Sequence, residues 1–131
     1  MSATLTIRDE TPGVKDFRQW SLEVLTERLT VRELIKSRVY QEVQDYNRRQ
    51  PAEFQGLVQP SDAERTLNGF RLKEPRQLDW HRQLNRAVEA FESNQILVLI
   101  NDRQAESLDQ EFDVTPGTEV TFLRLTLLVG G

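Results

Sequence analysis

The sequence predicts an α+β domain in which a mixed sheet is covered by a helix on one face. Three observations predict it. Period-two runs lie near both ends of the chain, one long run between them has helical period and a helix-start signature, and a continuous apolar stretch precedes the last alternating run.

The first alternating run is ATLTIRD, where Leu5 and Ile7 fall on one face and Thr4, Thr6 and Arg8 on the other. That is the pattern of a half-buried strand. Pro12-Gly13 punctuates it, and RQWSLEVL follows with Trp20, Leu22 and Val24 in phase, so the two strands read as a β-hairpin. The main helix is predicted over residues 30 to 49. Thr30 and Glu33 have the spacing of a capping box, Leu29 and Leu34 that of a hydrophobic staple. Val31, Leu34, Ile35, Val39, Val43 and Tyr46 then recur at helical spacing until Arg48, Arg49 and Pro51 close the element.

Residues 51 to 78 change character. Pro51, Gly56, Pro60, Asn68-Gly69 and Pro75 interrupt short polar stretches carrying scattered Phe54, Leu57, Phe70 and Leu72. The expectation is a partly ordered excursion, more mobile than the core. A second helix is predicted from about 79 to 93, with Trp80, Leu84, Ala87, Val88 and Phe91 on one face and His81 beside it. Ile96 to Ile100 is a continuous apolar run ending in Asn101-Asp102, the mark of a central strand entering a tight turn. Leu108 and Phe112 anchor an irregular segment, Pro116-Gly117 makes a turn, and a last central strand is predicted over 119 to 128. In it Val120, Phe122 and Arg124 alternate with Thr121, Leu123 and Leu125.

Composition narrows the function. A net charge of -4 gives no electrostatic footprint for nucleic acid. No apolar stretch approaches the roughly 20 residues of a membrane span, and MSATLTIRDETPG lacks the regions of a signal peptide. The expected location is cytoplasmic, with no nucleic-acid or membrane partner. Without cysteine, disulfides, thiolate metal sites and cysteine nucleophiles are excluded. The lone His81 has no acidic or thiol neighbours at ligand spacing, so it is read as structural, and no catalytic or metal site is expected.

The chain ends EVTFLRLTLLVGG. Glycine is costly to order but lets backbone approach closely where any Cβ would clash. A terminal carboxylate is a poor electrophile until it is adenylated and passed to a thiol, and both steps require threading into a narrow active site. In that chemistry Gly131 supplies the reacting carboxylate, Gly130 the clearance, and Leu127, Leu128 and Val129 the grip for a partner.

These residues resemble a family. SLEV followed by TVRELI is similar to the second strand and helix start of ubiquitin. LVLINDRQ, TPGTEVTFLR and the terminal GG resemble the closing third of the prokaryotic sulfur carriers, the small subunit of molybdopterin synthase and the thiamine-pathway carrier. The match covers roughly residues 3 to 50 and 95 to 131. Two departures stand out: the carriers usually have prolines before their final residues, and ubiquitin has basic residues in its tail. The resemblance implies a ubiquitin-like β-grasp fold, a single domain over 1–131 with a helical insertion at about 51–94 between the main helix and the third strand.

It also implies a function. The chain would be a protein modifier, not itself an enzyme, whose Gly131 is adenylated by an E1-like activating enzyme. That enzyme uses the ATP, and the modifier holds no cofactor. Conjugation to target proteins would follow through a thioester and an isopeptide bond, with an E2-like conjugating enzyme and a JAB-type metalloprotease as further partners. Two alternatives remain: a sulfur carrier bearing a thiocarboxylate on Gly131 for cofactor or tRNA biosynthesis, and a non-conjugated β-grasp interaction module. Only Lys15, Lys36 and Lys73 are available as acceptors for self-conjugation, since arginine stays charged.

Overall fold

The computed structural model describes residues 3–15, 17–66 and 69–125. The elements in order are β1 (Ala3–Glu10), β2 (Arg18–Val24), β3 (Arg28–Thr30), α1 (Val31–Arg49), β4 (Ala63–Arg65), β5 (Phe70–Leu72), α2 (Trp80–Glu92), β6 (Ile96–Ile100), β7 (Arg103–Gln104), β8 (Glu111–Asp113) and β9 (Glu119–Arg124). The class is α+β with a mixed sheet and two helices, as the sequence predicts. The chain divides into two compact units, Met1–Leu34 with Glu89–Gly131 and Ile35–Val88.

The first unit is built on a five-stranded sheet ordered β2-β1-β9-β6-β7. β1 and β2 form the expected antiparallel hairpin, with Leu5 opposite Leu22 and Ile7 opposite Trp20. β9 lies in the middle, parallel to β1 and antiparallel to β6. The period-two reading holds through these strands: Leu5, Ile7, Leu22, Val24, Val120 and Phe122 are all buried. In β6 a run that looks uniformly apolar is two-sided, with Ile96, Val98 and Ile100 buried and Leu97 and Leu99 half-buried. The turn after it is tight because Asn101 and Asp102 both adopt positive φ, 49° and 68°, as a two-residue type I′ hairpin requires.

Leu29 in β3 pairs with Phe112 in β8, a two-stranded ladder that the sequence does not announce. Arg28 binds Asp113 at 2.8 Å and Glu111 at 3.3 Å beside it. The hydrogen bond to Asp113, then that to Glu111, raises the already high Arg28 pKa.

The helix start is built as its spacing predicts. Glu33 N donates to Thr30 Oγ1 at 3.1 Å, and Thr30 N donates to Glu33 Oε1 at 3.0 Å. The two flanking staple leucines, Leu29 and Leu34, are buried. The first-turn amides, which have no intrahelical acceptor, find carbonyls elsewhere: Val31 N donates to Gln110 O at 3.0 Å and Arg32 N to Leu108 O at 2.9 Å. At the end of α2, Asn94 takes φ 61°. Gln95 N then donates to Ala90 O and Asn94 N to Phe91 O, the paired bonds of a Schellman cap.

In the second unit, the described residues of 51–78 carry more order than their turn-rich composition suggests. Phe54, Leu57, Phe70, Leu72 and Leu78 are buried. β4 and β5 pair, Phe54 and Phe70 exchange both backbone hydrogen bonds, and the Phe54 ring meets Tyr46 edge-on at 5.4 Å. Asn47 clamps Leu78 with both ends of its amide, at 2.9 and 2.7 Å. The apolar residues here are single anchors between turns, so they carry no period that a sequence window could detect. Asp79 caps α2 by accepting from His81 N at 2.9 Å.

Candidate functional site

The residues to which the sequence assigns the chemistry, Gly131 and Gly130, and the proposed grip residues Leu127, Leu128 and Val129 lie outside the described residues. So do 126–128 of the predicted last strand. What the structure describes is the base of the strand that precedes them.

That base is the C-terminal half of β9. Its neighbours hold it on both sides: Leu123 is in register with Glu10 of β1 and with Leu97 of β6. Leu125 N donates to Gln95 O at 2.8 Å, which extends the ladder one residue past the strand. A side-chain pair adds to this. Arg124 continues the inward phase of Val120 and Phe122, as Asp9 continues that of Leu5 and Ile7, and the guanidinium donates to Asp9 Oδ2 at 3.0 Å. Asp9 is 4 % exposed. A carboxylate so buried needs a charged or hydrogen-bonded partner, so the pair ties the end of β9 to the end of β1. The sequence contained a signal for it: two opposite charges occupy inward positions of two otherwise apolar strands.

The other face of the sheet at this base is apolar and partly open. Leu97 and Leu99 of β6 and Thr121, Leu123 and Leu125 at β9 are half-buried, with Leu97 opposite Leu123 and Leu99 opposite Thr121. On the β1 side, Arg8 is in register with Thr121. Its guanidinium stacks 3.6 Å from the ring centroid of Phe17, which is 49 % exposed. The last described residue, Leu125, therefore lies beside a leucine stripe with a cation-capped aromatic at one end. Sequence reasoning identified the alternation but not this stripe, because Leu97 and Leu99 sit inside a run with no polar interruption.

His81 is exposed and stacks on Trp80 with ring centroids 3.8 Å apart, while its Nδ1 lies 3.6 Å from Asp79. Among the described residues no group of three or more histidine, aspartate and glutamate side chains is placed to hold a metal ion. No helix of the described residues is long and apolar enough to cross a membrane. No family model, curated protein or solved structure matches this chain.

Proposed function

We propose that the chain is a ubiquitin-like β-grasp protein modifier, with residues 51–94 inserted between its main helix α1 and β6, which takes the place of the third β-grasp strand. In this reading Gly131 is activated by a cognate adenylating enzyme and joined to target side chains. The observation that carries it is the construction of β9. The middle strand of the sheet is fixed by backbone pairing on both sides and by the Asp9–Arg124 pair, and the sequence continues from it as TLLVGG. Six residues reach at most about 20 Å when extended, a suitable length for a segment that enters another enzyme while the sheet stays outside. The parallel β1–β9 pair at the centre of the sheet and the single capped helix after the first hairpin fit the same reading.

The chemistry balances without a side-chain nucleophile from this chain. A Gly131 carboxylate oxygen attacks the α-phosphate of ATP, and pyrophosphate leaves. A thiol of the partner enzyme then displaces AMP to give a thioester. A target amine finally attacks the carbonyl, releases the thiol and forms the amide. The partner must supply the sulfur, because this chain contains no cysteine. The leucine stripe beside Leu125 provides a surface on which such enzymes can seat the sheet.

The sulfur-carrier reading uses the same carboxylate and is favoured by the likeness of the Asn101-Asp102 turn and the β9 sequence to the carriers' closing third. Intact-mass and peptide analysis of protein recovered from its native cell separates the two. The modifier predicts Gly131 linked to a target amine, and the carrier predicts sulfur in place of one terminal oxygen. Deleting Gly131 should abolish either product in an ATP-supplemented lysate while leaving the melting temperature unchanged. Gly131 found only as an unmodified carboxylate, or followed by further residues in the mature protein, would refute both and leave an interaction module.

A further inference from the structure

The outer edge of β6 is incompletely paired: β7 reaches only part of its length, and Ile96, 4 % exposed, has no strand on that side among the described residues. Leu125 N donates to Gln95 O, and Asn101 N donates to Glu119 O. By the alternation of an antiparallel ladder, Leu97 and Leu99 therefore direct their backbone groups towards β9, while Ile96, Val98 and Ile100 direct theirs away from it. On that outer side β7 is only two residues long and pairs with Leu99 and Ile100 alone. Ala105 N reaches Val98 O at 2.7 Å. Beyond it, among the described residues, no strand lies alongside Ile96.

A cleft of about 480 Å³ opens beside this unpaired position, with Phe91, Ile96, Leu97 and Leu108 in its apolar lining. Glu92, Glu106 and Asp109 are exposed around it, against one cation, Arg32. An unpaired strand edge is a template for another strand, an adjoining cleft takes alternate side chains of such a strand, and a surplus of exposed carboxylates selects its charge.

We propose that this edge binds an extended basic segment of a partner protein as an additional strand outside β6. The segment's backbone pairs with Ile96, one of its apolar side chains enters the cleft, and flanking lysine or arginine side chains meet Glu92, Glu106 and Asp109. Neither the site nor its test involves Gly131, so it stands whether or not the chain is conjugated.

The probe is a set of acetylated, amidated hexapeptides Lys-X-Arg-X-Lys-X, with X valine, leucine or phenylalanine, titrated into the isotope-labelled full chain. At least one peptide should give saturable amide shifts centred on Ile96, Val98 and Glu106 and slow the hydrogen exchange of the Ile96 amide at least tenfold. Binding should weaken at least tenfold with Glu106→Lys plus Asp109→Lys, two exposed positions whose reversal leaves the fold intact. It should weaken further at high salt, and disappear when the peptide amides on the pairing side are N-methylated. Any of three results overturns the proposal: no saturable shift with any of the three peptides, equal binding of the Glu-for-Lys/Arg peptides, or self-association of the free chain through the same amides, which would make a second copy the occupant.

Discussion

Truncating Leu34 to alanine tests how the helix start is anchored. Leu34 is 0 % exposed and Leu29, at the other staple position, is 5 % exposed. A leucine removed from such a site costs the transfer free energy of its lost atoms plus a cavity term, about 2–5 kcal/mol. Its full burial and its place one turn inside a helix whose first amides are tied to Leu108 and Gln110 leave little room to collapse, which favours the middle of that range, about 3 kcal/mol. With an unfolding entropy of roughly 2.1 cal/mol/K per residue, a chain of 131 residues should lose about 11 °C in melting temperature. Leu25, 85 % exposed, is the internal control, and its alanine variant should fall within about 0.5 kcal/mol of the parent. Urea unfolding followed by far-UV circular dichroism, with calorimetry for the melting temperature, measures both. Leu34→Asp should show no cooperative transition, because a charge would be buried without a partner. A Leu34→Ala cost below 1 kcal/mol, or a cooperative melt in Leu34→Asp, would show that the staple position is not enclosed.

Three further expectations follow from local geometry. Thr30→Ala removes the side-chain acceptor of the capping box and should cost about 1 kcal/mol by urea unfolding, with Thr30→Ser recovering most of it. Asp102→Gly relieves a positive φ of 68° in the β6–β7 turn and should stabilise by roughly 0.5–1 kcal/mol; a loss of stability would mean that the side chain of Asp102 matters more than its backbone. Gly56→Ala would set a Cβ 2.1 Å from the buried ring of Phe54, so it should destabilise by about 1–3 kcal/mol and alter the Phe54 ring resonances; unchanged ring shifts would count against this packing.

Most of the sheet and both helices were legible because their residues repeat. Leu5 and Ile7, Val120 and Phe122, and the capped run after Thr30 each satisfy a period over several positions, and a period survives without knowledge of tertiary contacts. What was illegible had no period. Phe54, Leu57, Phe70 and Leu78 are buried one at a time by turns, so a turn-rich composition did not disclose these buried anchors or the two-stranded ladder among them. β3 and β8 are three residues each and exist through their pairing, which no local propensity encodes. At the candidate site the inward phase of Asp9 and Arg124 was visible, but their meeting was not, because it depends on the parallel registration of two strands from opposite ends of the chain. The cleft beside Ile96 depends on β7 stopping after two residues.

That parallel registration also sets the order in which the molecule can be made. β1 emerges from the ribosome well before its central-sheet neighbour β9; Asp9 and Arg124 are 115 positions apart. Until then β1 has only β2 beside it, and an isolated two-stranded hairpin is marginal in water. Closure of so long a loop is slow relative to helix formation, since its entropy must be overcome before any contact is gained. Assembly of the sheet therefore waits until β9 has been made, and before that β1 lacks its central neighbour. A chain truncated before β9 should be recognised as unfolded however complete its helices are.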